Sequence, residues 1–72
     1  MNTTTATAAK TEAARIRAGV TRLALAEATG IPRPTLTRKL NGQYPLTVAD
    51  IEAIALALEV DPESLVDFRA AA

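Results

Sequence analysis

The chain has 72 residues, contains neither cysteine nor histidine, and balances eight basic side chains with eight acidic ones. A chain of this length forms one small domain with a limited core. Without cysteine or histidine it can form no disulfide, no thiolate metal site and no histidine-based acid–base catalyst. We therefore expect no catalytic residues, no metal, no cofactor and no small-molecule substrate. No apolar run is long enough for a membrane span and no signal peptide is evident, which favours a cytoplasmic protein without a membrane partner.

The zero net charge conceals two halves of opposite sign. Residues 1–43 carry seven basic and two acidic side chains, a net charge of +5, whereas residues 44–72 carry one basic and six acidic side chains, a net charge of −5. A basic half favours a polyanion partner on that side of the domain, although chance clustering in a small protein gives the same pattern.

The first helix is predicted over Lys10–Ala18, after a flexible tail over residues 1–9 that shows no periodicity. Gly19 ends this helix in the left-handed conformation that glycine tolerates. Arg15 and Arg17 are expected in solvent. A stripe at helical spacing predicts the buried face, and it consists of Ala9, Ala13, Ile16 and Val20.

Two short helices separated by Gly30 follow. Thr21 is a suitable N-cap for the second helix, Arg22–Thr29, in which Leu25 and Ala26 point inward. Gly30 supplies the positive φ that closes it. Ile31 then enters the core.

The third helix covers about residues 33–40. Pro32 and Pro34 bracket its start, where proline is tolerated because the first N–H groups of a helix have no internal partner. Leu36 and Leu40 form its buried side, and Asn41-Gly42 ends it.

The fourth helix begins after Thr47, which caps it with Asp50 as the acidic partner of a capping box. Its predicted inward residues are Val48, Ile51, Ile54, Ala55 and Leu58. A short fifth helix follows, capped by Asp61 and starting at Pro62. The pattern predicts an all-α domain of five helices over residues 10–69, with a C-terminal tail over 70–72.

The spacing of small and apolar residues carries a family likeness. The residues concerned are Leu25-Ala26, Gly30, Ile31, Leu36, Asn41-Gly42, the stretch TVADIEAIALAL and the ending V-D-P-E-S-L. From about Arg15 to Phe68 the chain resembles the Cro/repressor-type (XRE-like) helix-turn-helix family. The resemblance implies a compact lambda-repressor-like domain with its helix-turn-helix at helices 2 and 3. It also implies a small transcriptional regulator, a repressor of phage or plasmid type, that binds double-stranded DNA and lies at the nucleoid.

The resemblance further implies which residues contact DNA. In the family, the third helix enters the major groove and residues in its first turns reach base edges. The corresponding residues are Arg33, Pro34, Thr35, Thr37 and Arg38. The start of the second helix and the loop after the third contact the backbone, which here means Arg22, Asn41, Gln43, Tyr44 and Thr47.

Three positions depart from the family pattern. Lys39 and Thr29 stand where apolar residues are usual, and we expect the Lys39 ammonium to extend past the core edge to a phosphate. Pro34 cannot donate a hydrogen bond. Base readout is therefore expected to depend mainly on Arg33, Thr35 and Arg38.

The sequence leaves some alternatives open. The apolar residues of the fifth helix, Leu65, Val66 and Phe68, either pair two copies of the chain or seal the core. The acidic half, through Asp50, Glu59, Glu63 and Asp67, is the working surface if the domain is instead an antitoxin-like or adaptor protein-interaction module. The operator, repressor or activator action, oligomeric state and full length of the protein stay open.

Overall fold

The computed structural model describes residues 3–67, which form four α-helices and one 3₁₀ turn. The helices are α1 (Thr3–Ala18), α2 (Arg22–Thr29), α3 (Arg33–Leu40) and α4 (Val48–Leu58), and the 3₁₀ turn covers Pro62–Leu65. No strand occurs among these residues. The predicted all-α class is confirmed, and α2 and α3 have the predicted bounds.

The predicted fifth helix is wrong as a helix, since only a single 3₁₀ turn forms. The backbone becomes extended at Val66, with φ −103° and ψ 135°, and the Asp61 side chain makes no capping hydrogen bond. Four residues allow too few internal hydrogen bonds to establish an α-helix. Instead the Ser64 hydroxyl donates to the Asp61 carbonyl at 2.6 Å and closes the turn.

Helix α1 begins at Thr3, seven residues before the predicted start, so the prediction of a flexible tail is wrong for residues 3–9. Ala6, Thr7 and Ala8 are buried there. Gly42 packs against this segment, and a Cβ added to it would lie at an ordinary contact distance, 3.5 Å, from the Cα of Thr5. Small side chains give little periodic signal in the sequence, yet they let two backbones meet.

The predicted buried stripe of α1 is wrong for three of its four residues, whereas Val20 is half-buried and packs against the core. Ile16 is 63% exposed, and Ala9 and Ala13 are exposed as well. The face that packs inward contains Thr11 and Ala14. Thr11 can be fully buried because its hydroxyl donates to the Leu65 carbonyl at 3.2 Å.

The core lies between α2, α3, α4 and the 3₁₀ turn. As predicted, Leu25, Ala26, Leu36 and Leu40 are buried, together with Ile51, Ile54, Ala55 and Leu58 from α4. Val48 was predicted to join them, but it is 76% exposed because it lies at the first position of α4. Leu65 has 0% exposure, so it seals the core and is not available to a second copy. Val66 is half-buried, and Phe68 lies outside the described residues.

The start and end of α2 and the start of α4 were predicted correctly. The Thr21 hydroxyl accepts from the Ala24 N–H at 3.0 Å, and Gly30 adopts φ 77°. At α4, the Asp50 N–H donates to the Thr47 hydroxyl at 3.0 Å while the Thr47 N–H donates to the Asp50 carboxylate at 2.9 Å. These caps fix the ends of α2 and the start of α4. They therefore help to set the orientation of α3, which lies between these two helices in the chain.

Candidate nucleic-acid interface

Helix α3 presents a polar surface opposite its anchored side. Leu36 and Leu40 hold the helix to the core, and Arg33, Pro34 and Arg38 are exposed. The predicted base-contacting residues Thr35 and Thr37 are half-buried. The structure thus places the whole predicted base-contacting set on the accessible part of one helix.

Arg33 and Arg38 keep their positive charge uncompensated. Within residues 3–67, ion pairs involve only Arg15, Arg22 and Lys39 among the cations. An exposed guanidinium without an acidic partner offers five N–H donors in a planar fork, which suits a phosphate or a guanine edge. These two side chains are therefore the strongest anion-recognition groups on α3.

The residues predicted to contact the DNA backbone lie in two groups. Asn41, Gln43, Tyr44 and Thr47 are exposed around the loop between α3 and α4. Arg22, at the start of α2, is brought beside this loop, since its Nη2 donates to Asn41 Oδ1 at 3.2 Å. Positions 22 and 41, nineteen residues apart in the chain, therefore form one polar edge next to α3.

Sequence reasoning missed Glu12, which joins this edge from α1. Its carboxylate accepts hydrogen bonds from both Arg15 and Arg22, including a 3.0 Å bond from Arg22 Nε. Partial burial by itself raises the pKa of the Glu12 carboxyl, but hydrogen bonds from Arg15 and Arg22 and their charges outweigh burial and lower the pKa below 4.5. Its ten-residue separation from Arg22 fits no local pattern. No sequence pattern therefore predicts the contact between Glu12 and Arg22.

Lys39 is the predicted contact that the structure places elsewhere. Its ammonium donates to the Asp50 carboxylate, and the two side chains are only 16% and 13% exposed. The charge ties α3 to α4, so the predicted extension of the ammonium to a phosphate is wrong. We therefore remove Lys39 from the DNA-facing set.

Asp50 takes part in two interactions at once, because the same oxygen that pairs with Lys39 also accepts the Thr47 N–H. Burial alone raises its pKa, whereas the hydrogen bonds from Lys39 and Thr47 lower it, and the net effect is a pKa below 3.8. The carboxylate therefore stays ionised at neutral pH and holds α3, the loop and α4 together.

Thr29, the other departure from the family pattern, is satisfied locally. Its hydroxyl donates to the Leu25 carbonyl at 2.8 Å and accepts from the Ile31 N–H at 3.3 Å. A polar side chain at the end of α2 is thus compatible with the core.

Neither a metal-binding cluster nor a membrane-spanning helix occurs among the described residues. From residue 3 to residue 67, no group of three or more acidic side chains lies close enough to hold a metal ion. In that range no helix combines the length and apolar character of a membrane-spanning segment.

Comparison with known proteins shows what the chain is similar to. The family described as a helix-turn-helix domain matches residues 9–68. Among solved structures, the chain is similar to the restriction-modification controller protein C.AhdI from Aeromonas hydrophila. The TM-score is 0.79 and the sequence identity 23%, and the match covers 85% of this chain and 92% of that chain. At this identity the likeness shows the fold. No curated protein shows a significant match.

Proposed function

The chain belongs to the helix-turn-helix domain family, and from this premise we propose that it is a small transcriptional repressor that binds double-stranded DNA at specific sequences. The XRE-like resemblance expected from the sequence is confirmed by the family match and by the fold. One observation carries the proposal. Helix α3 is anchored by two buried leucines, and its Arg33 and Arg38 are exposed and form no ion pair with any acidic residue between residues 3 and 67.

In the proposed complex, α3 lies in the major groove and its first turns face the bases. Arg33 or Arg38 donates a bidentate pair of hydrogen bonds to guanine O6 and N7. Thr35 and Thr37 contact a thymine methyl or a base acceptor. Because both residues are half-buried, these contacts require the helix to lie closer to the bases. Pro34 contributes apolar contact alone.

The polar edge beside α3 follows the DNA backbone. Arg22 and Asn41 lie together there, and Gln43, Tyr44 and Thr47 continue the edge along the loop. Such contacts fix the register of the domain on the duplex and carry no sequence information directly. With few phosphate contacts, one domain binds weakly and the binding depends steeply on salt.

Two copies on a two-fold site would supply the affinity that one domain lacks. The predicted pairing surface is reduced by the structure, because Leu65 is fully buried. Of that surface, Val66 is the part that stays accessible among the described residues. We therefore propose that two copies of the chain pair on DNA, and the proposal rests only on the weak binding expected of a single domain.

The experiment starts with selection of bound duplexes from a random DNA pool, followed by binding titrations at several salt concentrations. Arg33→Ala and Arg38→Ala are compared with Arg17→Ala, which removes the same charge from an exposed position on α1. Loss of one bidentate base contact costs about 1–3 kcal/mol, roughly five- to 150-fold in affinity, and relaxes the preference at one base pair. If both α3 variants bind as Arg17→Ala does, the assigned face is wrong.

A second candidate function, a protein-interaction module, is favoured by one observation on the other side of the domain. An apolar groove of 340 Å³ is lined by Leu46, Val48, Ile51 and Val66, and Glu52 and Glu63 lie at its margin. Apolar side chains beside carboxylates suit a basic partner protein. Co-purification of a basic partner, together with the absence of any selected duplex, would favour this function over DNA binding.

A further inference from the structure

The three charged side chains Glu12, Arg15 and Arg22 connect α1 to the start of the helix-turn-helix. Arg15 Nη1 donates to the Val20 carbonyl at 2.7 Å, which ties the guanidinium to the turn between α1 and α2. Glu12 lies between the two arginines and accepts from both. Since one carboxylate faces two guanidinium groups, this cluster retains a net positive charge.

Arg22 is held on two sides. Its Nε and Nη2 reach the Glu12 carboxylate, and Nη2 also reaches Asn41 Oδ1 at the C-terminal cap of α3. Among the contacts of the described residues, Nη1 makes no hydrogen bond, and the side chain is still 30% exposed. The guanidinium therefore keeps two N–H donors for an incoming anion while its orientation is already set.

We propose that Glu12 is a positioning residue for DNA binding: it holds Arg22 and, through it, Asn41 in the geometry that contacts a phosphate. This inference rests on the proposed DNA-binding function. A free arginine side chain loses much rotamer freedom when it binds, and that loss weakens binding. Because Glu12 orders Arg22 in the free protein, the loss occurs on folding instead of on DNA binding.

The direction of the change in DNA affinity distinguishes a positioning carboxylate from an ordinary one. Neutralising an ordinary surface carboxylate near DNA removes repulsion and strengthens binding. Neutralising Glu12 should weaken binding, because the affinity lost when Arg22 is no longer ordered exceeds the affinity gained by removing the repulsion. The matched control is Glu27→Gln on α2, which removes an equal charge from an exposed position that forms no ion pair with Arg22 among the described residues.

The experiment measures fluorescence anisotropy of a duplex selected by the wild-type chain, at several salt concentrations. We expect Glu27→Gln to bind equally well or a few-fold more tightly, and Glu12→Gln to bind about two- to tenfold more weakly, the size expected for ordering one long side chain on binding. In the Arg22→Ala background, Glu12→Gln should cause no further loss. Melting curves of all variants by circular dichroism ensure that each is folded at the assay temperature.

Two DNA-binding results would overturn the proposal. One is tighter binding by Glu12→Gln, to the same degree as by Glu27→Gln. The other is an equal loss on Glu12→Gln with and without Arg22, since that would mean a general structural role. A third readout needs no DNA: the NMR signal of Arg22 Nε–H should move towards its unfolded-chain position in Glu12→Gln. If wild type binds no duplex, the DNA-binding proposal fails, while an unmoved Arg22 signal would overturn the positioning itself.

Discussion

The contact between Lys39 and Asp50 allows a quantitative test of what holds the recognition helix in place. Asp50→Asn removes the charge that faces Lys39 but keeps an amide oxygen able to accept the Thr47 N–H, whereas Asp50→Ala removes both interactions. A hydrogen bond to a charged group contributes about 1.5–3 kcal/mol to stability. An N-terminal capping interaction contributes about 1 kcal/mol.

We therefore expect Asp50→Asn to lower the free energy of unfolding by about 1–2 kcal/mol and Asp50→Ala by about 3 kcal/mol. A fully exposed ion pair would contribute only about 0–1 kcal/mol, but these two side chains are 16% and 13% exposed. In a domain of this size each kcal/mol shifts Tm by about 4–8 °C. The expected changes are large against the total stability of a small domain.

The assay is urea and thermal unfolding followed by far-ultraviolet circular dichroism at pH 7. Lys39→Met, which keeps most of the aliphatic stem, completes a double-mutant cycle with Asp50→Asn and isolates the pair. Glu52→Gln, an exposed acid on the same helix, is the charge-matched control and should change stability by less than about 0.5 kcal/mol. A coupling energy below about 0.5 kcal/mol, the value of an exposed pair, would refute the reasoning.

Four further predictions follow from the same structure. Folding lowers the pKa of Glu12 below 4.5 and that of Asp50 below 3.8. The stability that these two carboxylates contribute is therefore complete above those values and is lost as the pH falls below them. Between pH 7 and pH 3, Tm should drop less steeply in Glu12→Gln and Asp50→Asn than in the wild type. Gly30→Ala should cost about 1–2 kcal/mol in unfolding experiments from positive φ alone, since an added Cβ would meet nothing within 4 Å; no loss would contradict the left-handed cap. Thr11→Val removes the donor to the Leu65 carbonyl and should cost about 1–3 kcal/mol in the same experiments, whereas an unchanged Tm would mean that the carbonyl finds another partner. Leu65→Ala should cost about 2–5 kcal/mol without changing the oligomeric state in sedimentation, and a change of state would restore its pairing role.

Several features of the fold were predictable from the sequence because their causes lie within a few residues of one another. Thr21 and the Thr47–Asp50 box mark helix starts through bonds that span three residues. Gly30 marks a helix end because only glycine adopts its backbone conformation at little cost. The spacing of Leu36 and Leu40 orients α3, so the exposure of Arg38 on the opposite side followed from helical periodicity. Arg33 lies three residues before Leu36 and is exposed because it is the first residue of the helix.

The sequence by itself thus determined the bounds of α2 and α3, the caps of α2 and the exposed position of Arg38 on α3. The tertiary structure decided the rest: where α1 begins, which side of it is buried, and which charges are paired. Glu12 and Arg22 are ten residues apart and Lys39 and Asp50 are eleven, each pair joining two different helices. Local propensity and periodicity carry no information about how separate helices meet. That depends on packing of the whole core, including the contact of Gly42 with Thr5 and Ala8 of α1.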